Sequence, residues 1–320
     1  MFPRLHTLAF VLLCLIWGST WLAIRVLVRE VPPFKGAALR FVIAAVILFL
    51  WGALRRSGWP KGERQWNAIV VLSFTMMALP YGLLFWAEQN LSSSMAAVLF
   101  SALPLTVSLL TPLMMHRKVP RAAVYAMVIA FGGVLLLLFT TLWTSRPALW
   151  GAVAVLGSMI CSAWSTVYAK TRLRDVDPVI ATALQLLFGA IGLFWGSWAL
   201  ESHRSTTWSN QAIVALLFLA TFGSAVAFAI YYWLLKHMQP YEISSLNLVV
   251  PVVAVLEGKL LLLESVPLTM IAAMLIVLAS VRMVLRSEAE TQDDNTHHGD
   301  TETRRKSISK PLLEKSAEKK

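Results

Sequence analysis

Residues 83–110, LLFWAEQNLSSSMAAVLFSALPLTVSLL, read as the end of one apolar helix, a short polar turn and most of the next helix. Glu88 places a carboxylate just inside the end of an apolar run. Asn90 to Ser94 form a small-residue turn, and Pro104 falls within the second helix. The stretch recurs. Residues 231–262 read YYWLLKHMQPYEISSLNLVVPVVAVLEGKLLL, and an offset of 147 residues carries Trp86 onto Trp233 and Pro104 onto Pro251. The same offset carries Glu88 onto Leu235, so the carboxylate belongs to one copy only. The chain therefore has a duplicated frame with an unequal charge.

The surroundings of this stretch are apolar throughout. Of 320 residues, 58% are hydrophobic and 14% charged, and the mean hydropathy is +0.67, so there is too little polar surface to clothe a soluble domain. Apolar runs recur at about 7–28, 34–54, 66–88, 94–115, 122–142, 148–170, 178–199, 210–235, 242–262 and 268–285. Nearly all are long enough to cross a hydrocarbon core of about 30 Å. The first is too long for a signal-peptide core and reads as a retained helix. Internal prolines such as Pro80, Pro112 and Pro251 fit membrane helices, which tolerate them where neighbours satisfy the freed backbone groups. Cys14 and Cys161 sit inside apolar runs and read as packing residues rather than a disulfide.

The net charge of +11 does not indicate nucleic acid. From Ser287 onward there are 7 Lys/Arg and 8 Asp/Glu, which leaves 21 and 9 in residues 1–286. That excess sits in short loops between spans. With a cytoplasmic N-terminus the inner loops collect fourteen basic residues, among them Arg55, Arg56, Arg117 and Lys118, and the outer ones six. The positive-inside rule then puts both termini in the cytoplasm, and tryptophans such as Trp51, Trp150 and Trp198 at span ends form an interfacial belt. Residues 287–320 are rich in charge and poor in large apolar side chains, which predicts a disordered cytoplasmic tail.

The halves 1–143 and 148–286 match in detail. Cys14 and Trp17 answer Cys161 and Trp164, Ser19-Thr20 answers Ser165-Thr166, Pro33 answers Pro178, and Arg40 answers Gln185. Five spans per half means that the second half enters from the opposite side. The predicted fold is an all-α integral membrane protein of ten helices, built as two inverted five-helix repeats. Such repeats build secondary transporters with a site near the midplane between the halves.

Five stretches also resemble a known family. IWGSTWLAIRV at 16–26, VPPFKGAALRF at 31–41, FWAEQNLSSSMAAVLFSALPL at 85–105, the Asp-Pro at 177–178 with TALQLL, and PVVAVLEGKLLLLESVPL at 251–268 resemble the EamA-type ten-helix transporters of the drug/metabolite transporter superfamily. The resemblance implies transport of a small metabolite, often outward, with helices 1–4 and 6–9 around a central cavity. The chain departs from the family where an acidic residue usually follows the fourth span. His116-Arg117-Lys118 stand there, while the second half keeps Glu264.

Charge inside a membrane marks a candidate site. The candidates are Glu88, Arg40 and Glu257, and a Glu88–Arg40 pair would compensate both charges; Glu88 also reads as an interfacial anchor and Glu257 as a helix-packing hydrogen-bond partner. Trp17 and Trp164, repeat equivalents, read equally as cavity walls, together with Tyr81 and Tyr168, or as helix–helix packing, with Ser19, Thr20, Ser165 and Thr166 as small polar neighbours. Pro104 and Pro251 are candidate hinges. The expected function is secondary active transport of an amino acid, related metabolite or drug-like amphiphile across a bacterial-type inner membrane, exporting in direction, with a proton as candidate coupling ion. No cofactor or metal is expected, and a homodimer is compatible with this reading. The six histidines fall in loops or termini and no phosphate loop or metal-ligand spacing occurs, which argues against an enzyme. The alternative is a non-transporting membrane scaffold or sensor.

Overall fold

A computed structural model describes residues 4–114, 121–142, 145–173, 175–237, 243, 246–280 and 282–283. The predicted tail, 287–320, lies outside the described residues. The described elements are helical. They form ten helices: α1 Arg4–Leu27, α2 Pro33–Leu54, α3 Glu63–Ala87, α4 Ser93–Met114, α5 Arg121–Leu142, α6 Arg146–Arg172, α7 Pro178–Glu201, α8 Asn210–Leu234, α9 Leu246–Leu261 and α10 Leu268–Ser280. Seven of them, α1 to α4 and α6 to α8, are long and apolar enough to cross a membrane.

The packing relates the halves. α2 lies against α7, its repeat equivalent. α1 packs on α8 and α9, and α6 packs on α3 and α4 in the same relation. Small residues let these helices close up, as membrane helices require in the absence of a hydrophobic drive between them. A Cβ on Gly18 would stand 2.5 Å from Val253 Cβ, so α1 and α9 cross at a glycine. Large apolar side chains and tryptophans such as Trp150, Trp195 and Trp198 point outward, as lipid contact demands.

Two features have no clear mark in the sequence. α3 and α8 each contain a π-helical stretch, Ser73–Ala78 and Thr221–Val226. Hydroxyls back-bond at both: Ser73 donates to the Ile69 carbonyl at 2.7 Å, Thr75 to Val71 at 3.0 Å, and Thr221 to Leu217. The Ile69 and Leu217 carbonyls also keep the amides of Ser73 and Thr221, so the hydroxyls accompany the widened turns without displacing the ladder there. Pro80 follows the first stretch closely, but no proline follows the second, so proline alone is not the cause. α4 is also interrupted, at Ser101–Ala102, and Pro104 is the second residue after the break. Pro251 lies inside an unbroken α9.

On the face where α1 ends and α2 begins, the loops interlock. Arg204 Nη1 donates to Gln89 Oε1 at 3.2 Å, Lys35 Nζ to Thr206 Oγ1 at 2.8 Å, and the Thr207 amide to the Glu30 carbonyl at 3.1 Å. The other face carries the α2–α3 loop and the α6–α7 loop. There Asp177 caps its own helix, accepting from the amides of Val179 at 2.9 Å and Ile180 at 3.3 Å.

Candidate functional site

A cavity of about 140 Å³ lies between α1, α3, α4, α6, α8 and α9. An apolar cavity of about this volume takes one small organic molecule of about the size of benzene. It reaches from Ile24 and Leu84, one turn short of the ends of α1 and α3, to Thr166 and Tyr231 near the opposite ends of α6 and α8. Its wall is mostly apolar, with six aromatic rings among aliphatic side chains. Trp17 tilts against Tyr231 with ring centroids 5.3 Å apart and meets Phe228 edge-on at 6.0 Å, while Trp21 meets Phe100 edge-on at 5.6 Å. Among the described residues, no lining side chain carries a formal charge. Two lining polar atoms are buried without a partner, Trp17 Nε1 and Ser158 Oγ. A buried donor is costly unless a partner meets it, and neither atom has surface open to the lumen, so each would reach a ligand's acceptor only after its side chain turns.

The candidate residues divide around this cavity. Trp17 and Tyr81 line it. Trp164 and Tyr168, expected at the wall, do not; they stack on each other at 4.8 Å and 15°, and the Arg172 guanidinium covers Tyr168 at 5.7 Å. Ser19 is also absent from the wall, and donates instead to Glu257 Oε1 at 2.7 Å across the α1–α9 contact, leaving Glu257 Oε2 buried without a partner. Thr20 and Thr166, beside the residues singled out from the sequence, do line the wall.

The expected direct Glu88–Arg40 pair does not form. Arg40, 1% exposed, donates from Nε to Ser224 Oγ at 2.6 Å and from Nη2 to the Gly223 carbonyl at 2.9 Å. Both acceptors belong to the π-helical stretch of α8, where the widened turn makes a carbonyl available. Its guanidinium also stands 5.0 Å over the Tyr81 ring, within cation–π range. Nη1 has no hydrogen-bond partner. Glu88 is fully buried and neither carboxylate oxygen has a hydrogen-bond partner; Arg25 instead donates to the Glu88 main-chain carbonyl. The two charges are thus neighbours behind the cavity wall rather than partners, with Tyr81 between Arg40 and the lumen. Their geometry was not legible because the acceptors of Arg40, a side-chain hydroxyl and a carbonyl, both lie in a π-helical stretch 183–184 residues away in the chain.

On the interlocked face, carboxylates of one repeat cap helices of the other. Glu264 accepts from the amides of Ser93 (2.9 Å) and Ser94 (3.1 Å) and from their hydroxyls (2.8 and 2.6 Å) at the start of α4. Glu30 accepts from the Ser209 amide at 2.8 Å and its hydroxyl at 2.6 Å, ahead of α8. Glu201 accepts from the amides of Phe34 at 3.0 Å and Lys35 at 3.2 Å in α2. Each answers the unsatisfied amides and positive dipole end of a helix N-terminus.

Burial works to raise the pKa of Glu264, but the bonds from Ser94 and Ser93 outweigh it and hold the carboxyl below its ordinary 4.5. The Ser209 hydroxyl and amide lower Glu30 likewise. A carboxyl depressed in the folded state contributes stability above its unfolded value and loses it as pH falls through the folded one. The difference in thermal stability between the wild-type chain and Glu264→Gln should therefore be flat from about pH 8 to 5 and shrink only below 4.5, which a melting series in detergent would measure.

Comparison with known proteins agrees with this arrangement. The model of the EamA-like transporter family matches residues 5–139 and again 149–286. The chain is 27% identical over 278 residues to the uncharacterized transporter YoaV of Bacillus subtilis, covering 86% of this chain and 95% of that one. It is 30% identical over 247 residues to the uncharacterized inner membrane transporter YedA of Escherichia coli K12, covering 77% and 79%. A solved crystal structure superposes with a TM-score of 0.64 at 18% identity over 87% of this chain and 96% of its own, a likeness of fold. A double family match over an all-helical bundle with a cavity at its centre places the protein in the membrane as a multi-pass transporter: the chain belongs to the EamA-like transporter family.

Proposed function

We propose that the protein is a secondary active transporter that exports a small amphiphile across the cytoplasmic membrane, both termini inside, by alternating access between its two repeats. The observation that carries this reading is the charge-free aromatic cavity with two unpartnered donors, Trp17 Nε1 and Ser158 Oγ. A net charge would be left without a counter-ion in such a lumen, so the substrate is neutral overall and offers at least one acceptor. A hydrophobic amino acid in its zwitterionic form, a related metabolite or a drug-like amphiphile meets both conditions. Glu88, one turn beyond the lining residue Leu84, is the coupling group. Buried without a partner, it is suited to taking a proton in one conformation and releasing it in another.

The test is uptake of labelled aromatic and aliphatic amphiphiles into proteoliposomes with and without an imposed pH gradient. Ser158→Phe should place a ring in the lumen and abolish transport while leaving the protein monodisperse. Undiminished transport by Ser158→Phe would remove the cavity from the mechanism. Failure of every class to move would favour a scaffold instead.

A further inference from the structure

The three carboxylate caps lie on one face only. Counting back by the repeat offsets gives their counterparts on the other face. Glu264 corresponds to Arg117, Glu201 to Arg56, and Ser209, which receives Glu30, to Gly62. Two acids are thus replaced by cations, which a helix N-terminus repels, and one hydroxyl by nothing. Gly62 caps α3 with no side-chain bond, and the α7 amides equivalent to those of Phe34 and Lys35 are served by Asp177 of their own repeat. Among the described residues, Glu63, Asp175 and Asp177 are the carboxylates near that face, and none bonds across to the opposite repeat.

We propose that Glu30, Glu201 and Glu264 are gating residues that latch the two repeats together on the α1–α2 face, and that the replacement of Glu201 and Glu264 by Arg56 and Arg117 at the equivalent positions makes the state closed on the α1–α2 face the resting one. The inference rests on the transport reading, which supplies the motion being gated. In a perfectly symmetric inverted repeat, the states open to either side would be equal in energy. A set of bonds present in only one of them shifts the population toward it. The cavity agrees in position. Its end at Ile24 and Leu84 lies directly beneath the latched loops. Gly258 is part of the fit: a Cβ there would overlap Ser94 Oγ and stand 2.6 Å from Glu264 Oε2, so the latch closes only over a glycine. The bonds from Ser209 to Glu30 and from Ser93 and Ser94 to Glu264 favour the ionised carboxylates, the form in which each accepts all of its hydrogen bonds.

The experiment places Leu84→Cys in a background of Cys14→Ala and Cys161→Ala and follows its labelling by a membrane-impermeant maleimide in right-side-out and in inverted vesicles. From the latched side, labelling should be slow in the parent. Glu264→Gln, Glu201→Gln and, without any change of charge, Gly258→Ala should each speed it by roughly tenfold, the ratio expected for losing a charge-assisted hydrogen bond. Glu63→Gln, on the other face, should not. An oxidised Ser94→Cys/Glu264→Cys pair should stop transport and a reductant should restore it. Equal labelling rates in parent and latch variants, or continued transport by the oxidised pair, would overturn the proposal. Labelling reads conformation without substrate, so that result would leave the transport reading standing.

Discussion

Arg40→Ala is expected to cost about 3–5 kcal/mol of stability, the range for removing one member of a buried charged network. Among the described residues it is the largest fully buried side chain. It ties α2 of the first repeat to the π-helical stretch of α8 in the second through Ser224 and Gly223. Three aromatic rings, Tyr81, Phe41 and Phe85, surround its guanidinium at 5.0 to 5.9 Å. Truncation leaves the Gly223 carbonyl without this donor, opens a void among the rings, and removes a cation from beside Glu88. Arg40→Lys should recover only a small part. A single ammonium cannot reproduce the planar fork that reaches Ser224 from Nε and Gly223 from Nη2. The readout is the melting temperature of the purified protein in detergent, where both variants should fall well below wild type and Lys259→Ala, an exposed cation on α9, should not. An Arg40→Ala protein melting like wild type would show that the π-helical carbonyl is satisfied by other means.

The repeat and the helix order were legible because they rest on hydropathy and spacing, which are properties of the chain itself; the central cavity was implied by the family resemblance, and α2 and α7, expected around it, do not line it. Arg40 was legible as a buried charge, since a cation in an apolar run is costly in lipid and must be met from inside the bundle. Its partners were not. They lie where α8 widens, at Thr221–Val226, and no residue type in that stretch marks it apart from an ordinary membrane helix. Trp17 and Trp164 show the same limit. Equal spacing placed both at the wall, yet only Trp17 faces the lumen, because Trp164 finds a stacking partner four residues on in Tyr168. Glu264 stood in the sequence as a departure between the halves, and its opposite-sign counterpart Arg117 was visible too. The link to Ser93 and Ser94 needed the fold, since 170 residues of chain separate Ser94 from Glu264.

Glu88→Gln is expected to leave insertion and folding intact and to reduce transport by orders of magnitude. Glutamine keeps the shape of the side chain. Both carboxylate oxygens lack hydrogen-bond partners, so their replacement breaks no bond in this state, and the bond from Arg25 goes to the main-chain carbonyl, which the substitution retains. Stability should therefore stay within about 1 kcal/mol of wild type, because no hydrogen bond of the carboxylate is lost and Arg25 and Arg40 meet it only as neighbouring charges. The contrast with Arg40→Ala is the diagnostic point: one buried charge is held by the fold and the other is not. A fold that keeps an unpartnered carboxylate where Leu235 stands in the other repeat bears a cost without structural return, which is the pattern of a residue retained for function. Transport driven by an imposed pH gradient should be lost in Glu88→Gln, while exchange of substrate between equal pools, which needs no proton movement, should persist in part. Gradient-driven transport at wild-type rates would make Glu88 a spectator at the edge of the bundle. Loss of exchange and driven transport together would assign it to the substrate path instead, through the wall that Leu84 and Tyr81 form between it and the lumen.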